Sequence, residues 1–134
     1  MAGYSGKPLA KKLGIKPNAT TLLENLPSAV RAELEPALAK TKVMNSPSPG
    51  IDFILGFATS AAALRTDFLR WKNCLAKTGC LWASWPKKTS AIETDLSGDV
   101  VREIGLAASL VDVKVCAIDE QWSGLKFVFR RADR

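Results

Sequence analysis

Apolar and polar positions in the middle of the chain predict a strand, a helix and a second strand in succession. Residues 51–58 are almost all apolar, which is typical of a parallel strand covered on both faces. From residue 60 to residue 77, apolar side chains recur at intervals of three and four, and this spacing predicts an amphipathic helix. These apolar residues are Ala61, Leu64, Phe68, Trp71 and Leu75. Gly79 is expected to end the helix, and Cys80 to begin a strand that runs to Trp85.

The flanking parts of the chain extend the same alternation. A short helix is predicted over residues 5–15, with Ser5 as its cap and Gly14 in the left-handed conformation at its end. The other predicted elements are a strand over 19–24, a helix over 28–38, a possible strand over 41–44, a helix capped by Ser97, and strands over 111–118 and 125–130. The last two strands are expected to form a hairpin whose loop contains Trp122.

This order of elements predicts the fold class. Strands that alternate with helices and then end in a hairpin indicate an α/β protein with a mostly parallel sheet. We expect a single three-layer Rossmann-like domain over residues 1–134, with about five to six strands, a C-terminal antiparallel hairpin strand and a short N-terminal helix.

The composition is ordinary for a globular protein, with 47% hydrophobic and 24% charged residues. No apolar stretch reaches the roughly 20 residues that a membrane-spanning helix needs. The N-terminus contains lysines but lacks the continuous apolar segment of a secretory signal. These features predict a cytoplasmic protein without a membrane partner.

The net charge of +6 allows an anionic partner. Lys11 and Lys12 belong to a basic N-terminal segment that could contact a partner or nucleic acid, and Trp122 could offer a contact surface of its own. Basic domains without any anionic partner are more common, so nucleic acid is the less favoured partner. For Trp122, packing onto the end of the core is the favoured alternative to exposure.

The residue types present in the chain limit which nucleophilic mechanisms it could use. The chain has no histidine, which excludes Ser-His and Cys-His catalysis. Its three cysteines are Cys74, Cys80 and Cys116, and their wide spacing favours separate buried thiols over a metal site. The sequence therefore predicts no metal ligands.

Four predicted loops should meet at the carboxyl edge of the sheet, where ligands bind in open α/β folds. The candidate ligand-binding residues in these loops are Asn25, Ser28, Thr59, Ser60, Ser84, Trp85, Lys87, Lys88 and Thr89. Hydroxyls and amides near helix N-termini, together with two lysines, could hold a phosphate or a carboxylate. The simpler alternative is that the serines and threonines cap helices and that the lysines are only solvated.

The strand–helix–strand segment at residues 50–85 and the final antiparallel strand resemble the corresponding part of class I methyltransferases. That fold implies an adenosyl cofactor held by a glycine-rich turn after the first strand, because glycine lets the backbone approach the ligand. Here the turn reads LLENLPSAV, and no glycine lies between Gly14 and Gly50. The sequence therefore predicts no bound cofactor.

Three sequence blocks carry a second resemblance. GYSGKPLAKKLGIKP, LWASWPKKTS and TDLSGDVVREIGLAASLVDVKVCAIDEQWSGLKFVFR together resemble a family of short bacterial proteins catalogued as a domain of unknown function. This resemblance implies a bacterial cytosolic setting and supplies no catalytic residues. Residues 19–50 depart most from the family pattern.

The favoured functional hypothesis is a non-catalytic binding module for an anionic small ligand or a protein partner at the carboxyl edge of the sheet. The alternative is a degenerate or rebuilt methyltransferase-like enzyme that binds a nucleotide-derived cofactor at residues 24–28. A second alternative is nucleic-acid binding through the basic face. No carboxylate pair in the sequence favours general acid–base catalysis, so the enzyme hypothesis is the weaker one at this level.

Overall fold

The computed structural model of the protein describes residues 7–134, which form one mixed sheet flanked by helices. The strands are β1 (Thr20–Glu24), β2 (Lys42–Val43), β3 (Ile51–Phe57), β4 (Leu75–Pro86), β5 (Leu110–Ala117) and β6 (Trp122–Phe129). The helices are α1 (Leu9–Leu13), α2 (Ser28–Leu38), α3 (Ala61–Cys74) and α4 (Gly98–Ala107), followed by a 3-10 turn at Arg131–Asp133. The helix cap predicted at Ser5 lies outside the described residues.

The strand order is β2-β1-β3-β4-β6-β5. The first four of these strands run parallel, and β6 is antiparallel to both β4 and β5. The predicted α/β class, with a mostly parallel sheet and a C-terminal antiparallel hairpin, is confirmed. None of the described helices is long and apolar enough to cross a membrane.

Helices cover both faces of the sheet, as the three-layer prediction requires. On the α1/α2 face, Leu34 packs in one buried cluster with Trp82 of β4. On the α3/α4 face, Phe68 packs with Ala83, the next residue of β4. Neighbouring residues of this strand thus enter opposite cores, because side chains alternate across a strand.

The helix after β3 is shorter than predicted. It ends at Cys74, and Leu75 is already extended and begins β4. Leu75 continues the apolar spacing of the helix because it is buried in its own right, which explains the wrong boundary. Gly79 lies inside β4 and does not cap the helix. A Cβ there would be 2.7 Å from the Asp52 carbonyl oxygen, so close packing against β3 requires glycine.

The final hairpin is tighter than predicted. The Ile118 N–H donates to the Trp122 carbonyl oxygen at 2.9 Å, and Asp119 Oδ1 accepts from the backbone of Trp122 at 2.9 Å. Trp122 is therefore the first residue of β6, not a loop residue, and only 8% of it is exposed. Its ring meets Phe57 edge to face, with 5.0 Å between centroids, so Trp122 closes the end of the core.

Candidate functional site

The carboxyl ends of β1 and β3 lie where successive connections leave the sheet in opposite directions. From β1 the chain passes through α2, on the α1/α2 face, to β2. From β3, on the other side of β1, it passes through α3, on the α3/α4 face. This arrangement is a topological switch point, where open α/β sheets bind ligands beyond the strand ends.

A cavity of about 210 Å³ opens at this point, and we call it the switch-point cavity. Its lining residues are Asn25, Phe57, Ala58, Thr59, Ala63, Asp67 and Trp122. Asn25 and Thr59 are residues that the sequence predicted here. Asp67 was missed because it lies on the polar side of a predicted helix, a position where a carboxylate carries no special signal.

Asn25 shapes the turn that follows β1. It has a left-handed backbone conformation, with φ of 58°, which asparagine tolerates better than most residues. Its Nδ2 donates to the carbonyl oxygen of Phe57 at 3.1 Å. Asn25 therefore ties the ends of β1 and β3 together on one wall of the cavity.

Glu24, at the end of β1, is held by two side chains of α3. Its Oε1 accepts from Arg70 Nη2 at 2.6 Å and from Trp71 Nε1 at 3.2 Å. Arg70 also reaches Asp67 Oδ1 at 3.2 Å. The hydrogen bond that Arg70 donates to Glu24 is the main reason that the pKa of Arg70 is raised. Glu24 thus fixes α3 against β1 through one of its two carboxylate oxygens.

The N-terminus of α3 is satisfied within the protein. Ser60 caps the helix by accepting from the Ala63 N–H at 3.2 Å. Asp95, from the segment before α4, accepts from the Ala61 N–H at 2.8 Å. Ser60 therefore has the capping role that was the simpler of its two interpretations. The role of Asp95 was missed, because nothing in the sequence relates it to a helix more than thirty positions earlier.

Other predicted site residues are not brought into the cavity. Trp85 is buried on the α3/α4 face with 7% exposure and does not line the cavity. Ser28 is the first residue of α2 and exposed; the cap position is Pro27, without a side-chain hydrogen bond. Ser84 is 1% exposed within β4.

The two lysines after β4 belong to a separate turn. The Lys87 N–H donates to the carbonyl oxygen of Gln121 at 2.8 Å, and the Lys87 carbonyl accepts from the Ser90 N–H at 3.0 Å. Lys88 and Thr89 are exposed in this turn. Neither they nor Lys87 line the switch-point cavity.

The predicted contact residues Lys11, Lys12 and Trp122 lie on separate elements, the lysines on α1 and the tryptophan at the start of β6. Trp122 is buried. Lys12 Nζ donates to the Ala117 carbonyl oxygen at 3.0 Å, which ties α1 to β5. Of the three, only Lys11 is fully exposed.

A larger cavity, of about 540 Å³, lies at the opposite edge of the sheet and includes Lys72, Lys77, Ser109 and Asp133 in its lining. The C-terminal ends of α3 and α4 meet there. Helix C-termini carry partial negative charge, which offsets the positive charge of the two lysines and makes this cavity less suited to an anionic ligand. The switch-point cavity is therefore the candidate ligand site, despite its smaller volume.

The cysteines are free thiols, with Cys74 buried and Cys80 and Cys116 half-buried. Burial raises the pKa of Cys80 and of Cys116, because a thiolate is disfavoured away from water. Within residues 7–134, no cluster of three or more His, Cys, Asp or Glu side chains could hold a metal ion.

We expect Cys80 and Cys116 to react slowly with iodoacetamide at pH 8 in the folded protein. A raised pKa lowers the thiolate fraction, and the thiolate is the reactive form. Mass spectrometry of alkylated peptides should show faster modification of both residues once the protein is unfolded in urea. Equal rates in the folded and unfolded protein would contradict the burial of these thiols.

No family model matches the chain, and no curated protein matches it. The resemblance to the bacterial family of unknown function therefore stays a prediction. Solved structures do match. A SAM-dependent methyltransferase from Aquifex aeolicus has a TM-score of 0.64 at 15% identity, covering 89% of this chain and 86% of the other.

Two further matches agree. A putative type 11 methyltransferase from Sulfolobus solfataricus has a TM-score of 0.58 at 11% identity, covering 94% and 92% of the two chains. Magnesium protoporphyrin IX methyltransferase from Synechocystis PCC 6803, with bound SAH, has a TM-score of 0.59 at 7% identity, covering 91% and 78%. The methyltransferase-like Rossmann fold is therefore confirmed.

These matches correct the favoured functional hypothesis. A non-catalytic binding module was preferred because the cofactor turn lacks glycine. The structural similarity spans nearly the whole chain and leads to methyltransferases, which overturns that preference. The methyltransferase-like alternative is the better supported one. The sequence analysis disfavoured this alternative because it relied on a cofactor motif of a few residues. The fold, in contrast, depends on the whole pattern of core positions, and that pattern is kept without the motif.

Proposed function

We propose that the protein is a methyltransferase-like enzyme with a rebuilt cofactor turn, which binds a nucleoside-derived ligand in the switch-point cavity. The observation that carries this proposal is the position of the cavity, between the carboxyl ends of β1 and β3 at the switch point. The structural neighbours support the ligand class, since one of them contains SAH.

The residues here do not fit S-adenosylmethionine held by a glycine turn. Asn25 occupies the left-handed position, and Pro27, at the start of α2, has no N–H to donate. Glu24 is already bound by Arg70 and Trp71. The residues after β2, from 44 to 51, include no carboxylate for ribose hydroxyls. No methyl-transfer step follows from this arrangement.

The cavity instead favours binding through side chains. Its volume of about 210 Å³ lies below the roughly 300–1,000 Å³ of sites that enclose a drug-sized ligand, so it fits one ring system of a ligand. Phe57 and Trp122 supply aromatic surface, while Asn25, Thr59 and Asp67 supply polar groups. A flat apolar ring with a polar edge is the ligand shape that this lining suits.

The test is ligand-induced stabilisation of the protein by adenosine, S-adenosylhomocysteine and S-adenosylmethionine. A ligand at about 100 times its dissociation constant adds about 2.7 kcal/mol, which raises the unfolding temperature by several degrees. We expect Ala63→Leu to abolish this shift, because Ala63 is an exposed α3 residue that lines the cavity. A leucine there would fill the space without touching the core.

Ala62→Leu is the matched control. Ala62 is the preceding residue of α3, is also exposed, and does not line the cavity. It should leave the ligand-induced shift unchanged. An Ala63→Leu variant that still responds like the wild type would place the ligand elsewhere. If none of the three ligands stabilises the wild-type protein, the proposed function is refuted.

A further inference from the structure

Ser84 holds an unusual position in the sheet. It is 1% exposed, and among the described residues its hydroxyl is the one buried side-chain polar atom without a hydrogen-bond partner. An unpaired buried hydroxyl costs free energy, and such groups in native proteins are rare. The Ser84 hydroxyl therefore lacks a polar partner among the described residues.

The strand pairing shows what surrounds this hydroxyl. Trp82, two residues earlier in β4, faces the α1/α2 side, so Ser84 faces that side as well. In the sheet Ser84 lies between Phe57 of β3 and Gly124 of β6. Serine and glycine are the two small residues of this row. A Cβ on Gly124 would lie 2.9 Å from Ile118 Cδ1 and 3.2 Å from Trp82 Cε3, so the core is already packed on that side of Ser84.

The rings of Phe57 and Trp122 pack over this row of the sheet, on the α1/α2 face. Phe57 comes from β3 and Trp122 from β6, so their rings must meet across β4, the strand that carries Ser84. The same two residues line the cavity. A single aromatic layer thus separates the cavity from the unpaired hydroxyl. Trp122 is the first residue of its strand, directly after the hairpin loop.

On the basis of the proposed function, we propose that Trp122 is a gate and that Ser84 is the inner ligand-binding residue of the site. When the indole moves aside, the ring system of the ligand enters beside Phe57, and its polar edge exchanges a hydrogen bond with the Ser84 hydroxyl. The residues of the α1/α2-face core are apolar. A charged group would lose its hydration there without compensation, so the inserted edge is that of an uncharged nitrogen heterocycle, such as a nucleobase.

The test compares adenosine binding to wild type, Ser84→Ala and Ser123→Ala by isothermal titration calorimetry. A neutral hydrogen bond contributes enough that its loss should weaken binding by about three- to tenfold in Ser84→Ala. Ser123 is the matched control, because its position in β6 pairs with Trp85 and alternation turns it to the α3/α4 face. Ser123→Ala should bind adenosine like the wild type.

The motion of the gate has a separate readout. The indole N–H resonance of Trp122, assigned by its loss in Trp122→Phe, should shift when adenosine is added to the wild-type protein. Three outcomes would overturn the inference and leave the proposed function standing. Ser84→Ala could bind adenosine with wild-type affinity, or both serine variants could be weakened equally. The third is a Trp122 resonance that does not move when the protein is saturated with adenosine. If the wild-type protein binds no nucleoside-derived ligand, both fail together.

Discussion

Replacing Trp82 with alanine is expected to lower the free energy of unfolding by about 3–5 kcal/mol. Trp82 is fully buried at the centre of the α1/α2 face, and its Nε1 donates to the Leu13 carbonyl oxygen at 2.9 Å. The substitution would leave a large cavity and an unpaired carbonyl at the end of α1. For a domain whose total stability is about 5–15 kcal/mol, such a loss should lower the unfolding temperature by about 10–20 °C.

Trp82→Phe separates the two parts of this effect. Phenylalanine keeps most of the apolar contact and loses the hydrogen bond, which should cost about 1–3 kcal/mol. Thermal unfolding followed by circular dichroism measures both variants. Hydrogen exchange should show that amides of α1 lose protection in Trp82→Phe, whereas amides of α4, on the opposite face, keep it. A Trp82→Ala protein as stable as the wild type would contradict the anchoring role of this side chain.

The sequence predicted the order and type of the elements well, since each element carries its own pattern. Residues 28–38 show apolar positions four apart, and α2 begins and ends at those residues. Boundaries failed where a neighbouring strand decided them. Leu75 continues the helical spacing of α3, yet it pairs with Ile51 in the sheet. That pairing depends on residues more than twenty positions away, which periodicity cannot detect.

The sequence predicted only those residues of the candidate site whose positions follow from the order of the strands. Loops that follow parallel strands must meet at one edge, so Asn25 and Thr59 could be placed there from strand order alone. Trp85 was predicted to bind a ligand because it stands next to Pro86 and two lysines, whereas β4 continues through Pro86 and the indole is buried. Asp67 and Asp95 were missed because helix packing and a folded-back segment, which leave no local signal, bring them to this edge.

The turn after β1 links the fold to the proposed function. In place of glycine it has Asn25, which makes the left-handed turn and binds β3 through its amide. A bare backbone that could accept a ligand has thus been replaced by a side chain that rigidifies the strand ends. Ligand recognition is then expected to depend on the side chains of the switch-point cavity, which is why the proposed variants change the cavity and not the turn.

Gly56→Ala is expected to destabilise the protein by about 1–3 kcal/mol through overpacking. Gly56 lies in β3 under the indole of Trp71, and a Cβ there would come within 2.6 Å of the ring atoms Cζ2 and Cζ3. Trp71 is fully buried, and its Nε1 also donates to Glu24. The indole therefore cannot move aside without disturbing the bond that holds α3 to the end of β1.

A double-mutant cycle tests this explanation. The atoms in contact belong to the outer ring of the indole, which phenylalanine lacks, so Trp71→Phe should relieve the clash. We expect Trp71→Phe to destabilise the wild type but to cost less, or to stabilise, in the Gly56→Ala background. The coupling should be at least about 0.5 kcal/mol, as for residues in direct contact. Urea unfolding of the four proteins measures it, and additive effects would show that Gly56 is required for some reason other than the indole of Trp71.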